Sequence, residues 1–573
     1  MTNASSPGLR PGHALILLLL FVLALLPRLY GANTVGWGWD GPGSFTLVNF
    51  DEAGSCRAAL GGFKYTPFIG RQTIAIATWL DKGPGAGVAG NPGLVKAYCH
   101  SPDHLMIARN FSAVAGALTV VLVGLIALML VPGQPAIAWT AAALLALSGF
   151  HISESQTGTV DAPSVFFIYA FLAMLVGAIT GGRRWTFAAS PLLLIPAIWT
   201  KYWVFAGFAY LALLPQRAWE YVSHGMSGRR VVVLVLATAI LFGMVTNREF
   251  QALGWYPLLA LYYLFIPWRA IRRPMIAVWL LMPLVAYGIT RIDIIATYTS
   301  GAMESGFGTG YGAIGWHKWL RNPVNVLAVL IVGLGLPACV FMPAGIRFLW
   351  RTEERRRDWV CLLLPVLAFT LFMAFLAPVT YYRHYLVLLP AAAILAACGL
   401  FQTGWPGRRW FLALFFAWPA LLAWDFLGDY QQDPRIELRQ WYREHPQDRV
   451  FISYYVNPPA SARNSRLFRP EFAFGDASVL RQADYLILSE NWYDTAFANE
   501  LNGPLVNAPQ RLIKTRPAYT RFYRDALAGR NPLLREERSI ELSNFMPELV
   551  VHRRFYGTFQ MFVGDIRIFR VVR

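Results

Sequence analysis

Charge is what this chain has least of. Only 14% of its 573 residues are charged, against about a quarter in an ordinary soluble protein. A water-soluble globular domain of this size is thereby excluded. Acids are scarcer than bases, 32 against 50, and the net charge is +18. Such a balance would suit a nucleic-acid binder, but most of the excess of basic over acidic residues comes from short loops between apolar runs, where membrane topology accounts for it. No internal repeat is visible. The glycine-rich run Gly306-Phe-Gly-Thr-Gly-Tyr-Gly312 does not follow a strand, so it is no dinucleotide fingerprint. No clear set of metal ligands stands out. Cysteine is nearly absent, with five in all. Three of these, Cys339, Cys361 and Cys398, sit in apolar segments as plain core residues.

What the chain has instead is apolar sequence. It is 56% hydrophobic and 15% aromatic, with a mean hydropathy of +0.42. The apolar residues come in runs near or above the roughly 18 residues that read as a membrane span. The pattern predicts a polytopic α-helical membrane protein with roughly thirteen spans. They fall at 13–30, 105–131, 136–150, 162–180, 185–200, 203–215, 231–247, 250–267, 275–291, 324–346, 359–377, 386–401 and 411–427. No small-x-small cleavage site follows the first, which therefore reads as a retained helix.

Arginines gather on one side: Arg183-Arg184, Arg229-Arg230, Arg272-Arg273, Arg355-Arg356-Arg357 and Arg408-Arg409. The positive-inside rule puts these loops and the N-terminus in the cytoplasm. On the opposite side lie a first loop at 31–104, a second at about 291–323, and the tail. The chain thus divides into a transmembrane domain, 1–427, and a small extracytoplasmic α/β domain, 428–573. In the tail, 435–445 reads as a helix, and 449–455, 483–489 and 565–572 read as strands. Cys56 and Cys99 share the first outer loop, where an oxidising exterior permits a disulfide. Arginine-rich, lysine-poor composition with 36 prolines points to a GC-rich bacterial genome and hence to a bacterial inner (plasma) membrane.

Four outer clusters could carry chemistry. The first is Asn49-Phe50-Asp51-Glu52. A carboxylate at the membrane face can take a proton from an attacking hydroxyl or amine, and Asp51 is the candidate base, with Glu52 in support. The plain alternative is that Asp51 caps the helix that follows. The second is the segment from His151 to Pro163. If it is one helix, His151, Glu154, Gly158 and Asp161 share a face; if it is a turn, Asp161 caps the next helix. The third is cationic: Lys201, Arg109, and Arg383 with His384. Each can neutralise a phosphate, or simply reach the interface. The fourth is the glycine-rich run with Trp316, His317, Lys318, Trp319 and Arg321 behind it, which an interfacial aromatic belt would explain equally.

These stretches resemble a known family. Asn49-Phe-Asp51-Glu52 in a first outer loop looks like the GT-C superfold of membrane glycosyltransferases. Leu105-Met-Ile-Ala-Arg109-Asn, Ser148-Gly-Phe-His151-Ile-Ser-Glu154-Ser-Gln-Thr-Gly-Thr-Val-Asp161-Ala-Pro163, Thr200-Lys201 and Tyr382-Arg383-His384-Tyr385 are similar to its protein O-mannosyltransferase and aminoarabinose-transferase branch. The resemblance spans roughly residues 10–400. It implies an inverting transferase that uses a polyprenyl-phosphate sugar, with Asp51 as base and Lys201, Arg109 and Arg383 near the donor phosphate. Some members use a divalent cation and others none, so a metal is left open. The acceptor is a lipid, a glycan or a protein, and the tail does not look like the mannosyltransferases' β-trefoil. The rival of another class is a lipid or sugar flippase. Transporters, however, place ionisable groups at the bilayer midplane within paired repeats. A third reading, a membrane-anchored binding protein, makes the tail the working part.

Overall fold

The computed structural model describes residues 11–62, 65–181, 184–201, 205–206, 209, 316–352, 356–376, 382–402, 408–453, 456–459, 462–467, 477–493, 517–541 and 564–572. The expected span 203–215, apart from residues 205, 206 and 209, lies outside the described residues. So do those at 231–247, 250–267 and 275–291, and the run 306–312.

Within the described residues, each remaining expected span coincides with helix. In chain order the helices are α1 (Pro11–Thr34), α2 (Gly54–Ala59), α3 (Phe68–Trp79), α4 (Pro92–Cys99), α5 (Pro102–Leu130), α6 (Pro135–Ala146), α7 (Gly149–Gln156), α8 (Asp161–Gly181) and α9 (Arg184–Thr200). Further along the chain come α10 (Trp316–Leu334), α11 (Leu336–Arg351), α12 (Arg356–Leu371), α13 (Leu388–Gln402) and α14 (Arg408–Gln431). Among the described residues, five helical stretches are long and apolar enough to cross a membrane, or seven if two bent pairs each count as one span. α1 turns Leu15, Leu18, Leu19, Leu23 and Leu26 outward. In water that stripe would be costly; against hydrocarbon it is simply the solvated face.

Two expected spans are not straight rods. α6 and α7 meet at 55°, and α10 and α11 at 110°. The second bend turns on Gly335, whose φ of +90° disfavours any side chain. A Cβ there would also lie 2.6 Å from the Trp418 ring. α11 crosses α13 closely because Gly345 and Gly399 face each other's backbone, a small-residue helix contact. At 15 residues α13 is shorter than a full span, and it is buried along most of its length. Its start is tied to α8: the Tyr169 hydroxyl donates to the Val387 carbonyl at 2.8 Å and accepts from the Ala391 N–H at 3.0 Å.

The first loop is an ordered body. Asn49 caps a short 3-10 turn, Phe50–Ala53, accepting from the Asp51 N–H at 2.9 Å. The Glu52 side chain reaches back to the Asn49 N–H. This is a reciprocal capping box with asparagine in the serine position. α2 and α4 are joined by a disulfide between Cys56 and Cys99, 43 residues apart. Closing a loop of that size is worth roughly 3–4 kcal/mol in the chain-entropy model. Reduction is therefore expected to lower the melting temperature of the purified protein by several degrees, measured by thermal unfolding with and without reductant. Identical melting curves would show that the loop is held by its packing alone.

Among its described residues, the tail folds around a five-stranded mixed sheet in the order β2-β1-β3-β5-β4. The strands are β1 (Val450–Ile452), β2 (Ser465–Leu467), β3 (Tyr485–Ser489), β4 (Leu534–Ile540) and β5 (Ile566–Val571). β1 runs parallel to β2 and β3, whereas β5 is antiparallel to β3 and β4. α15 (Pro434–Glu444) covers one face through Leu438, Trp441 and Tyr442. α16 (Pro517–Leu527) covers the other through Phe522, Tyr523 and Ala526. The helix and the strands anticipated at 435–445, 483–489 and 565–572 all lie here, while the strand anticipated at 449–455 is shorter.

Candidate active site

The helices bring their chemistry-bearing residues to one end. α1 ends and α8 begins on that side; α9 ends there, and α13 starts there. Asp161 opens α8 and Lys201 follows the last residue of α9. Arg383 sits in a 3-10 turn, Tyr382–Tyr385, before α13. Asp51 sits in the 3-10 turn after α1. None of these residues had to meet another by sequence. Packing of α8 on α9 and the Tyr169 tie to α13 bring three of the segments together.

What results is a cluster of paired charges. Arg383 Nη2 donates to Asp51 Oδ2 at 2.6 Å, and its Nε lies 3.8 Å from Asp161 Oδ2. The other Asp161 oxygen accepts from Lys201 Nζ, and Thr159 hydrogen-bonds the same carboxylate. Glu154, partly buried at the end of α7, is within electrostatic reach of Asp51, Asp161, Lys201 and Arg383. Asp161 and Lys201 are nearly closed to solvent, whereas Asp51 and Arg383 keep 16% and 14% of their side-chain surface. The open edge of the cluster is thus the Asp51–Arg383 pair. Burial opposes the charge of Arg383, but Asp51, Asp161, Tyr65 and Glu154 outweigh it and push its pKa above the usual arginine range. Its guanidinium is a permanent cation.

The first loop is docked beside this cluster. Thr66 Oγ1 donates to the Trp199 carbonyl at 2.5 Å, two residues before Lys201. Ser55 Oγ accepts from the Gly70 N–H at 2.7 Å, in a contact so close that a Cβ on Gly70 would overlap the Ser55 backbone.

Several residues lie elsewhere than the sequence suggested. Asp51 caps no helix: Asn49 caps the 3-10 turn that holds Asp51, α2 follows with Ala53 at its cap position and no side-chain cap, and the Asp51 carboxylate turns to Arg383. The spacing Asn49-x-x-Glu52 carried the signal. Glu52 and Arg109 face each other in a fully buried pair, 2.6 Å from Arg109 Nε to Glu52 Oε1 and 3.0 Å from Nη2 to Oε2. Arg109 also donates to the Val35 carbonyl and lies over the Phe45 ring. It therefore locks the loop to α5 rather than facing a phosphate. Burial works against the Glu52 charge, but Arg109 and the N–H groups of Gly158 and Asn49 prevail, holding its carboxyl below the ordinary value.

The segment from His151 to Asp161 is not one helix: α7 stops at Gln156 and α8 begins afresh at Asp161. His151 consequently turns away and shares a 2.9 Å hydrogen bond with Arg28 of α1. Arg28, which the sequence reading passed over, is buried and donates to the carbonyls of Ala24 and Ala146. His384 is buried beside Arg383 in the same turn. The side chains of Trp316, His317, Lys318, Trp319 and Arg321 lie outside what is described. Among the described residues, no group of three or more His, Cys, Asp or Glu is arranged to hold a metal ion.

The arrangement offers a carboxylate beside a permanent cation, with a second carboxylate–lysine pair behind it. No family model and no curated protein matches the sequence. Solved structures do match. An oligosaccharyltransferase from Archaeoglobus fulgidus, crystallised with zinc and sulfate, is 13% identical over 86% of this chain and 70% of its own, with a TM-score of 0.45. ArnT from Cupriavidus metallidurans in the apo state is 13% identical over 84% of this chain and 94% of its own, with a TM-score of 0.44. Its complex with undecaprenyl phosphate aligns over 83% and 93% at a TM-score of 0.43. In this sense the chain is similar to an oligosaccharyltransferase and to ArnT.

Proposed function

We propose that the protein is an integral membrane glycosyltransferase that moves a sugar from a polyprenyl-phosphate donor to an acceptor hydroxyl or amine. The observation that carries this reading is the pairing of Asp51 and Asp161 with Arg383 and Lys201 in one cluster where the membrane helices end. A hydrolase or transferase acting on a soluble substrate has no need of a site at helix ends in a lipid-facing bundle. A lipid-borne phosphate does, because its headgroup is presented at that depth. The acceptor group gives its proton to Asp51 as its lone pair forms the new bond to the anomeric carbon. The bond from that carbon to the phosphate oxygen breaks with its electrons on the oxygen, and the polyprenyl phosphate departs from the opposite face, inverting the centre. Arg383 and Lys201 meet the charge that develops on the leaving phosphate. By the loop arginines, this chemistry lies on the extracytoplasmic side.

The test supplies labelled polyprenyl-phosphate sugar in detergent and follows free lipid phosphate together with a new glycosidic bond. A flippase makes neither. Lys201→Ala is expected to weaken donor use about 10- to 100-fold, the worth of a charged hydrogen bond, with KM for the donor taking most of the change. Release of no lipid phosphate with any acceptor preparation would overturn the reading.

A further inference from the structure

The tail domain grips the loop that carries Asp51. Arg435 and Arg439, one turn apart on α15, both point into the first outer loop and are each 2% exposed. Their guanidinium groups lie 5.5 and 5.3 Å from the centre of the Trp39 ring. Arg439 Nε is 2.8 Å from Asp40 Oδ1, and its Nη2 donates to Thr46 Oγ1 at 3.2 Å. Arg435 is held in place by Asp433, with Nη2 at 2.7 Å from Oδ2, and donates to the Val48 carbonyl at 3.3 Å. Two further contacts flank them: Arg443 donates to the Trp39 carbonyl at 3.2 Å and Asn457 to the Leu47 carbonyl at 2.9 Å.

From there the connection to the candidate base is short. Thr46, Leu47 and Val48 lead straight into Asn49. Glu52 Oε2 accepts from the N–H groups of Val48 and Asn49, and Asn49 caps the turn that presents Asp51. The loop is therefore gripped from two directions, by α5 through Arg109 and by the tail through Arg435 and Arg439. Arginine suits this place better than lysine, since one planar group stacks on an aromatic ring while its edges hydrogen-bond.

We propose that Arg435 and Arg439 are positioning residues for the transfer reaction: through Trp39, Asp40 and residues 46–48 they set where Asp51 stands, so that the tail domain is part of the catalytic apparatus. This rests on the glycosyltransferase reading of the site. The effect sought is on turnover, because a base displaced by about 1 Å can cost on the order of a hundredfold in rate.

The experiment uses the full chain in detergent, with Arg435→Ala, Arg439→Ala and Arg439→Lys. Each alanine variant is expected to lower kcat about 10- to 100-fold while KM for the lipid donor stays near that of the parent. Arg439→Lys, which keeps the charge against Asp40 but loses the fork, is expected to fall between. Hydrogen exchange over residues 46–53 should rise in the same order. Asp40→Asn combined with Arg439→Gln should be less harmful than the sum of the two, as for groups in one network. Turnover near that of the parent, or exchange over 46–53 unchanged in the alanine variants, would overturn the proposal. So would a fall in kcat matched by an equal loss of folded protein. If the parent transfers no sugar at all, the glycosyltransferase reading fails, and the exchange measurement alone decides whether the tail holds the loop.

Discussion

Asp51→Asn is expected to lower turnover about 10²- to 10⁴-fold, the range supplied by a positioned proton acceptor. The amide is the same size, so the side chain still fits beside Arg383, 2.6 Å away in the parent. The turn itself is capped by Asn49 and fastened by Glu52, neither of which uses the Asp51 carboxylate. The variant should therefore fold, bind the lipid donor and fail in the chemical step. Donor binding and melting temperature, measured beside single-turnover rates, separate these. A well-folded variant that transfers sugar at the parent rate would remove Asp51 from the role of base and leave it as a partner that orients Arg383.

The second large effect falls on stability. Glu52→Ala leaves the Arg109 guanidinium buried with no counter-charge. Breaking a buried pair by removing one partner costs about 3–5 kcal/mol, a large share of the roughly 5–15 kcal/mol that holds a typical domain together. The first loop should detach from α5, and the yield of folded protein should drop sharply. Replacing both residues with apolar side chains is expected to be milder, since no orphan charge remains. The pH dependence follows from the same pair. The Glu52 carboxyl titrates below its ordinary value of 4.5 in the folded protein. Its contribution is thus complete above about 4.5 and is lost as pH falls through the lower folded value. Thermal unfolding from pH 7 down to pH 3 measures this. The parent should lose stability on the acid side, and a Glu52→Ala variant should lose less over the same interval.

Part of the candidate site was legible in the sequence, and Arg109, His151, Arg435 and Arg439 show where that legibility ended. Asp51 stood out because a carboxylate just past a membrane helix needs a reason to be there, and the same argument picked Lys201 and Arg383. It could not distinguish Arg109 from them: all are lone cations near the ends of apolar spans. His151 was grouped with Glu154 and Asp161 by helical spacing, which fails because α7 ends at Gln156. Arg435 and Arg439 stood in a segment that read simply as a helix, and nothing nearby in the chain announces Trp39 as their partner.

The apolar runs alone determined that this chain is helical and membrane-embedded, because hydropathy and helical hydrogen bonding are settled within about twenty neighbouring residues. The loop arginines and the short strands of the tail were local properties of the same kind. Who pairs with whom was decided by tertiary structure. Arg383 and Asp51 are 332 positions apart, Arg109 and Glu52 are 57, and Lys201 and Asp161 are 40. A charge that must leave water demands a partner, and the sequence states the demand; the packing of helices, loop and tail supplies the one that is within reach.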